Sequence, residues 1–394
     1  MQPLRIAYLG SSTALDGGSE LRLLAMATHF NTVHKVVLFL PDKGPLFQEA
    51  QVRGIHTVSL DFLRLRRHHG TDWVRWIRSV RQASEVLGQA LMDQRVDLVH
   101  FNDFIDLPFY GVPARLGIPA LSHLRLITGS LPARFYSSWA AWNRIHVLAV
   151  SKAVRKQMLK DHSGEVLYDP GPDPEVFRIR PDQRRSFRQS QGWQDHHLVI
   201  GMVSKLLENK GHRNFIRLAQ ALQGHRQKPG EEGKLSDRYR FVMVGGLSPG
   251  RENYFQEIAR EVESFPSGSF AWMREQPHAE IAGILNACDL FLHLPDTEDS
   301  FPGVVLEAMA CGVPVVAHDL GGIREQLADG EAGCLVKQGD IEGLLQVVQS
   351  LSQDPERRHQ IALAGRERIE REFNPDRHFQ ALDDVYHQMV KRKR

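Results

Sequence analysis

Short apolar runs alternate with helical patterns along almost the whole chain, and no other feature narrows the possible folds as much. In the first half the runs are Leu4–Leu9, Lys35–Leu40, Leu98–Phe101, Ala120–His123 and Ile145–Val150. Such runs suit strands buried on both faces, and their alternation with helices predicts an α/β protein built on parallel sheet. The segment Tyr168–Asp182 then brings Pro170, Pro172, Pro174 and Pro181, which punctuate rather than continue the pattern. After it the rhythm restarts at Leu198–Val203, Tyr239–Val244, Leu290–Leu294, Val313–Ala317 and Cys334–Val336. The restart predicts two doubly wound domains, residues 1–180 and 181–374, followed by a helix near the C-terminus over Asp376–Lys393.

A chain of 394 residues is too long for one ordinary core and fits that division. With 42% apolar and 24% charged residues it reads as soluble and globular, and a net charge of +2 gives no global bias toward nucleic acid. Cys288, Cys311 and Cys334 are odd in number and lack metal-type spacing, so they read as buried thiols of a reducing compartment. The sequence MQPLRIAYLGSS enters a strand at once, and no run of eighteen apolar residues occurs. The expectation is a cytoplasmic protein that meets a membrane, if at all, at its surface.

Function is concentrated in DSFPGVVLEAMACGVPVVAHDLGGIRE, Asp299 to Glu325. Pro302 keeps the preceding residues out of the helical region, whereas Val304–Ala310 reads as a helix closed by Gly312 and Pro314. Asp299 therefore lies in a loop and Glu307 on a helix, eight residues apart, an arrangement for holding hydroxyls. The N–H groups from Gly303 to Val305 head that helix and suit a phosphate or polar ligand.

Three further loops carry candidate residues. Lys205 and Lys210, in VSKLLENKGH, follow the strand Leu198–Val203 and can neutralise a diphosphate. Gly17 and Gly18 open a helix from Leu21, with Ser19 as its cap and Glu20 in its first turn. Gly10, Gly17 and Gly18 do not form the dinucleotide fingerprint, so a nicotinamide enzyme loses its best support. His123 ends a strand, with Arg125 two residues on.

Between Arg64 and Arg81 stand Arg64, Arg66, Arg67, Arg75, Arg78 and Arg81 against the single acid Asp72, with His68, His69, Trp73 and Trp76 interleaved. From Trp73 on, Trp73, Ile77, Val80, Leu87 and Leu91 predict one stripe packed on the domain. The basic face suits an anionic membrane surface or a phosphorylated lipid-linked acceptor, though such a run is more often just a solvated face.

The block from Asp299 to Glu325 resembles the Glu-x7-Glu signature of the retaining, GT-B-fold glycosyltransferases of family 4. Gly321-Gly322-Ile323-Arg324-Glu325 matches the element that follows it there, and Gly17-Gly18-Ser19-Glu20 resembles an N-terminal element of the same family. The resemblance implies two Rossmann-like domains facing an interdomain cleft, with helix 375–394 crossing back to the first. It implies that Asp299 and His123 lie by the donor sugar, that Lys205 and Lys210 meet the diphosphate, and that Glu307 holds the ribose. Gly17, Gly18, Ser300, Phe301, Gly303 and Val304 would line the donor, and Met273 and Arg274 would bracket its base. Two positions depart from the pattern: Asp299 stands where Glu is usual, one methylene shorter, and Lys205 replaces an Arg, keeping the charge without the bidentate fork.

The implied reaction is glycosyl transfer from a nucleotide-diphosphate-sugar to a hydroxyl acceptor, a glycan or a lipid-linked molecule, with retention. Neither a cofactor nor an essential metal is expected, and Asp296-Thr297-Glu298 reads as a solvated loop. Two alternatives stay open: a nucleotide-sugar-binding protein without catalysis, and a nucleotide-sugar epimerase of similar fold.

Overall fold

The computed structural model describes residues 2–15, 17–62, 73–159, 164–224 and 238–392. Among these, contacts divide the chain into Met1–Asp169 with Asp376–Arg394, and Pro170–Pro375. The sequence-based division ran to residue 180. Residues 170–180 group instead with the second unit because their partners are there: Gly171 N–H donates to the Phe373 carbonyl at 2.6 Å, and Arg180 N–H to Asn286 Oδ1 at 2.7 Å.

The first unit holds a parallel sheet of β1 (Arg5–Leu9), β2 (Lys35–Leu40), β3 (His56–Ser59), β4 (Leu98–Phe101), β5 (Ala120–Leu124), β6 (His146–Ala149) and β7 (Glu165–Val166), in the order β3-β2-β1-β4-β5-β6-β7. The second unit's sheet has β8 (Leu198–Val203), β9 (Tyr239–Val244), β10 (Phe270–Met273), β11 (Leu290–His293), β12 (Val315–His318) and β13 (Cys334–Val336), in the order β10-β9-β8-β11-β12-β13. Every pairing is parallel. Both sheets are doubly wound: strand order reverses between β1 and β4, and between β8 and β11. Ligands of such sheets collect beyond the strand C-termini at that reversal. The central strands are buried on both faces, which is why they read as unbroken apolar runs. The sequence reading missed β3, β7 and β10, which are short or only partly buried and lie at the sheet edges.

Two local expectations need correction. The helix Gly18–Phe30 begins three residues early with Gly17 at its cap position, and Ser19 does not cap it. The Ser19 hydroxyl accepts from Asn102 Nδ2 at 2.9 Å instead, tying the helix start to the end of β4. In the helix Trp73–Asp93 only Ala83, Leu87 and Leu91 are buried, so the predicted stripe packs through its C-terminal half while Trp73 and Ile77 stay exposed. Arg64, Arg66, Arg67, His68, His69 and Asp72 lie outside the described residues.

The last helix, Pro375–Lys391, completes the first unit. Leu382, Tyr386 and Val390 join the core formed by Ile6, Tyr8, Leu38 and Phe30. Buried Tyr386 OH lies 2.9 Å from Tyr8 OH and 2.6 Å from His100 Nδ1. Burial, reinforced by the nearby Arg125 charge, holds the His100 pKa well below the usual range, so it enters this chain of hydrogen bonds neutral. Tyr386→Phe leaves two buried polar atoms without their partner, and the expected result in urea unfolding is a loss of about 1–3 kcal/mol.

Candidate active site

In the second unit, the loops after β8 and β11 bring the expected residues together at the order reversal. A short turn, Glu208–Lys210, ends at Gly211, whose φ is +84°. A Cβ there would sit 1.8 Å from the Leu294 carbonyl oxygen, so only glycine lets this turn lie against the end of β11. The fit places Lys210 Nζ 2.7 Å from Asp299 Oδ2, joining the cation expected at a diphosphate to the acid expected at a sugar. His293, the last residue of β11, stands with Nε2 3.6 Å from the same oxygen. Burial pushes the Asp299 carboxyl up, but the His293 ring and the Lys210 ammonium outweigh it and hold it well below the usual carboxylate range. Asp299 is therefore a firmly ionised acid. Its neighbour Glu298 is exposed, as are Asp296 and Thr297.

The Asp299 loop rests on the Gly-Gly pair of the motif. Gly322 N–H donates to the Asp299 carbonyl at 2.9 Å. A Cβ on Gly321 would stand 2.1 Å from the Asp299 carbonyl oxygen, and one on Gly322 would stand 2.0 Å from that of Ser300. Ser300 is half-buried, and Phe301 turns inward, packing edge-to-face on Phe373 at 5.5 Å between ring centroids. The helix then runs Gly303–Ala310, with Pro302 at its cap position and the Pro302 carbonyl accepting from Gln326 Nε2 at 3.0 Å. Gly303 and Val304 head this helix.

Glu307, on that helix, has Oε1 2.9 Å from His278 Nε2. His278 opens the helix His278–Ala287, and its ring lies 5.0 Å from that of Phe177. One carboxylate oxygen of Glu307 is thus held by a protein partner. Met273 ends β10, and the exposed Arg274 guanidinium lies over Trp272 at 4.0 Å and Phe255 at 4.5 Å, two cation–π contacts that fix its position. Lys205 is exposed just beyond β8.

In the first unit, Gly17 and Gly18 lie at the helix start beyond β1, also near an order reversal. His123 is fully buried. Its Nδ1 accepts from Arg125 Nη2 at 3.0 Å, and its Nε2 donates to the Leu167 carbonyl at 3.4 Å. Burial, reinforced by the Arg125 charge, holds its pKa well below the usual range, so the ring stays neutral. Arg125 spans Asp169 with Nε 3.2 Å from both carboxylate oxygens and reaches the Asn102 carbonyl with Nη1 at 2.7 Å. Asp169 and Asn102 in this network, like His293 and His278, had no motif to announce them, whereas His123 and Arg125 stood out at the end of their strand. The one available sign was a polar residue inside an apolar run, as in LFLHLP, or at a helix start, as in QPHAEI.

Among the described residues, one group has ligand atoms close enough for a metal ion: His34, Asp383 and His387, within 4.8 Å of one another. His34 Nδ1 accepts from the Leu4 N–H at 3.2 Å, which leaves the ring proton on Nε2, 2.7 Å from Asp383 Oδ1. That tautomer donates to Asp383 and has no lone pair at Nε2 for a metal, so the group acts as a hydrogen-bonded strut to the last helix.

Comparison with known proteins adds a family to this geometry. The profile described as glycosyl transferases group 1 matches residues 183–368. The alpha-maltose-1-phosphate synthase of Mycolicibacterium smegmatis is 30% identical over 290 residues, which is 67% of this chain and 70% of that protein. This chain belongs to the group 1 glycosyltransferase family. The family match encloses Lys205, Lys210, Arg274, Asp299, Glu307 and the Gly321-Gly322 pair, whereas Gly17, Gly18 and His123 lie outside it.

The D-inositol 3-phosphate glycosyltransferase of Stackebrandtia nassauensis is 31% identical over 196 residues, and the match spans 49% of this chain but only 42% of that relative. Among solved structures, HepE of Anabaena in complex with UDP and glucose superposes with a TM-score of 0.78 at 21% identity, covering 98% of this chain and all of that one. HepE has also been seen with UDP-glucose. The likeness gives this group 1 family member the GT-B architecture.

Proposed function

We propose that this chain is a retaining glycosyltransferase that moves a sugar from a nucleotide-diphosphate-sugar to a hydroxyl acceptor, a glycan or lipid-linked molecule, in glycan, polysaccharide or glycolipid biosynthesis. The observation that carries the reading is the Lys210–Asp299 ion pair with His293 behind it, at the strand-order reversal of the family-matched unit. When the donor binds, Lys210 turns from Asp299 to the diphosphate, and Lys205 and the N–H groups of Gly303 and Val304 share the charge that grows there as the C1–O bond breaks. Asp299, released but still ionised, accepts from a sugar hydroxyl. The free oxygen of Glu307 accepts from the ribose hydroxyls while His278 holds the other. Arg274 lies by the base, and His123 contributes by orienting Arg125. None of these roles requires a metal.

A second reading, a nucleotide-sugar-binding protein without turnover, is favoured by one observation: Asp299 has a shorter side chain than the family's usual Glu and is already held by Lys210. Transfer itself separates the two. A thermal-shift screen across UDP-, GDP- and ADP-sugars should find one donor that raises the unfolding temperature, with UDP-sugars first in line. Proton NMR of the product should then show the donor's anomeric configuration. Glu307→Ala is expected to weaken donor binding about 10–100-fold, since a charge-assisted hydrogen bond is worth about 1.5–3 kcal/mol. Asp299→Ala should lower kcat with little change in donor affinity. Wild-type transfer by both variants would refute the assignment, and binding without transfer to any acceptor would establish the second reading.

A further inference from the structure

In the first unit the chain runs from β1 out to β2 and β3, then returns to β4 and continues to β7. Right-handed crossovers put the helices of these two directions on opposite faces of the sheet. The helices Trp73–Asp93, Gly111–Leu116, Ser130–Trp142 and Lys152–Met158 therefore form one layer, and they contact one another directly or through the turn Phe104–Phe109.

The outside of that layer is unusual in two ways. It is apolar where helices normally meet water. Ser130–Trp142 buries Ala133, Tyr136 and Ala140, yet its opposite face carries Leu131, 78% exposed, Phe135, 59%, and Trp142, 82%. The N-terminal half of Trp73–Asp93 also exposes Trp73, Val74 and Ile77, although Trp73 and Ile77 continue the stripe that Leu87 and Leu91 bury rather than the outer face of the layer. Of the fifteen large apolar residues found exposed among the described ones, ten lie between Trp73 and Trp142. Leu131, Phe135 and Trp142 together on one helix face mark an interaction surface rather than scattered exposure.

The last three helices of that layer also carry cations and no acid, although Glu85 and Asp93 lie on the first and the buried Arg125 pairs with Asp169. Residues 107–160 contain eight Lys or Arg and not one Asp or Glu, in a chain with 47 acids. Arg134, Arg144, Lys152 and Lys156 are exposed there, and Arg75 and Arg78 project from the first helix.

We propose that this helical layer is a docking face for an anionic lipid bilayer, with Leu131, Phe135 and Trp142 entering the headgroup region and the surrounding cations meeting lipid phosphates. Exposed indole and phenyl rings flanked by Arg and Lys suit the interface between headgroups and acyl chains. A second copy of the chain fits worse, because a twofold contact would bring the same cations face to face. No described helix is long and apolar enough to cross a membrane, so the contact is peripheral. The proposal stands on this surface alone and holds whether or not the catalytic reading does.

Flotation of the full chain with vesicles tests it. The chain should float with phosphatidylcholine vesicles containing phosphatidylglycerol, only weakly with phosphatidylcholine alone, and less as salt rises. Leu131→Ser/Phe135→Ser/Trp142→Ser should weaken binding to the anionic vesicles at least about tenfold without lowering the melting temperature, since these side chains support no core. Arg134→Glu/Lys156→Glu should weaken it comparably, and it carries the test alone if the triple variant proves unstable. Wild-type flotation by both variants, or equal flotation of the parent on neutral vesicles, overturns the proposal. So does self-association that the triple variant abolishes without any vesicle binding by the parent.

Discussion

Lys210→Met is expected to reduce glycosyl transfer by about 10²–10³-fold, the usual cost of removing one preorganised group aimed at developing charge. The methionine fills most of the same space, so the loss is electrical. Lys210 serves two partners: without donor it neutralises Asp299 at 2.7 Å, and with donor it is to neutralise the departing diphosphate. The free protein records the change as well. A carboxyl held below its unfolded value contributes stability that is fully present above the unfolded pKa, about 3.9, and lost as pH falls through the folded one. With Lys210 gone, only His293 at 3.6 Å still opposes the burial that pushes Asp299 up. That contribution therefore shrinks, and acid unfolding should begin at higher pH. Single-turnover rates and a pH series of urea melts measure the two effects. An acid shift with full activity would mean that Lys210 holds Asp299 but does not serve the donor.

Gly322→Ala should be nearly as damaging to turnover. Its Cβ would meet the Ser300 carbonyl oxygen at 2.0 Å, a backbone atom that cannot swing aside, so the Asp299–Ser300 loop has to move by about 1 Å. A displacement of that size costs about 100-fold in rate when it misplaces a reacting group, together with about 1–3 kcal/mol of stability from overpacking. Gly224→Ala is the control, because a Cβ there meets nothing within 4 Å. Equal behaviour of the two variants in turnover and unfolding would show that the Gly-Gly pair is not the platform of the acid loop.

The central strands of both sheets were legible because burial on both faces leaves an unbroken apolar run, with Lys35–Leu40, Leu98–Phe101, Leu198–Val203 and Tyr239–Val244 found at the expected residues. The edges were not, since His56–Ser59 and Phe270–Met273 are half in water and carry no such run. The loop-to-helix setting of Asp299 and Glu307 followed from Pro302 and the glycines. The pairing of Asp299 with Lys210, 89 residues away, did not, because it depends on which strands are neighbours. Periodicity placed Trp73 and Ile77 on one helix face with Leu87, but it says nothing of whether any element covers that face.

The strut of the last helix bears on how the chain comes off the ribosome. Pro170–Pro375 is a continuous stretch with its own core, complete before Asp376 has been synthesised. The sheet of the first unit emerges much earlier, yet its core lacks Leu382, Tyr386 and Val390, and Tyr8 and His100 lack their hydrogen-bond partner, until the final turns arrive. The half made first is therefore finished last, and during that wait its unfilled groove is the surface a chaperone would meet.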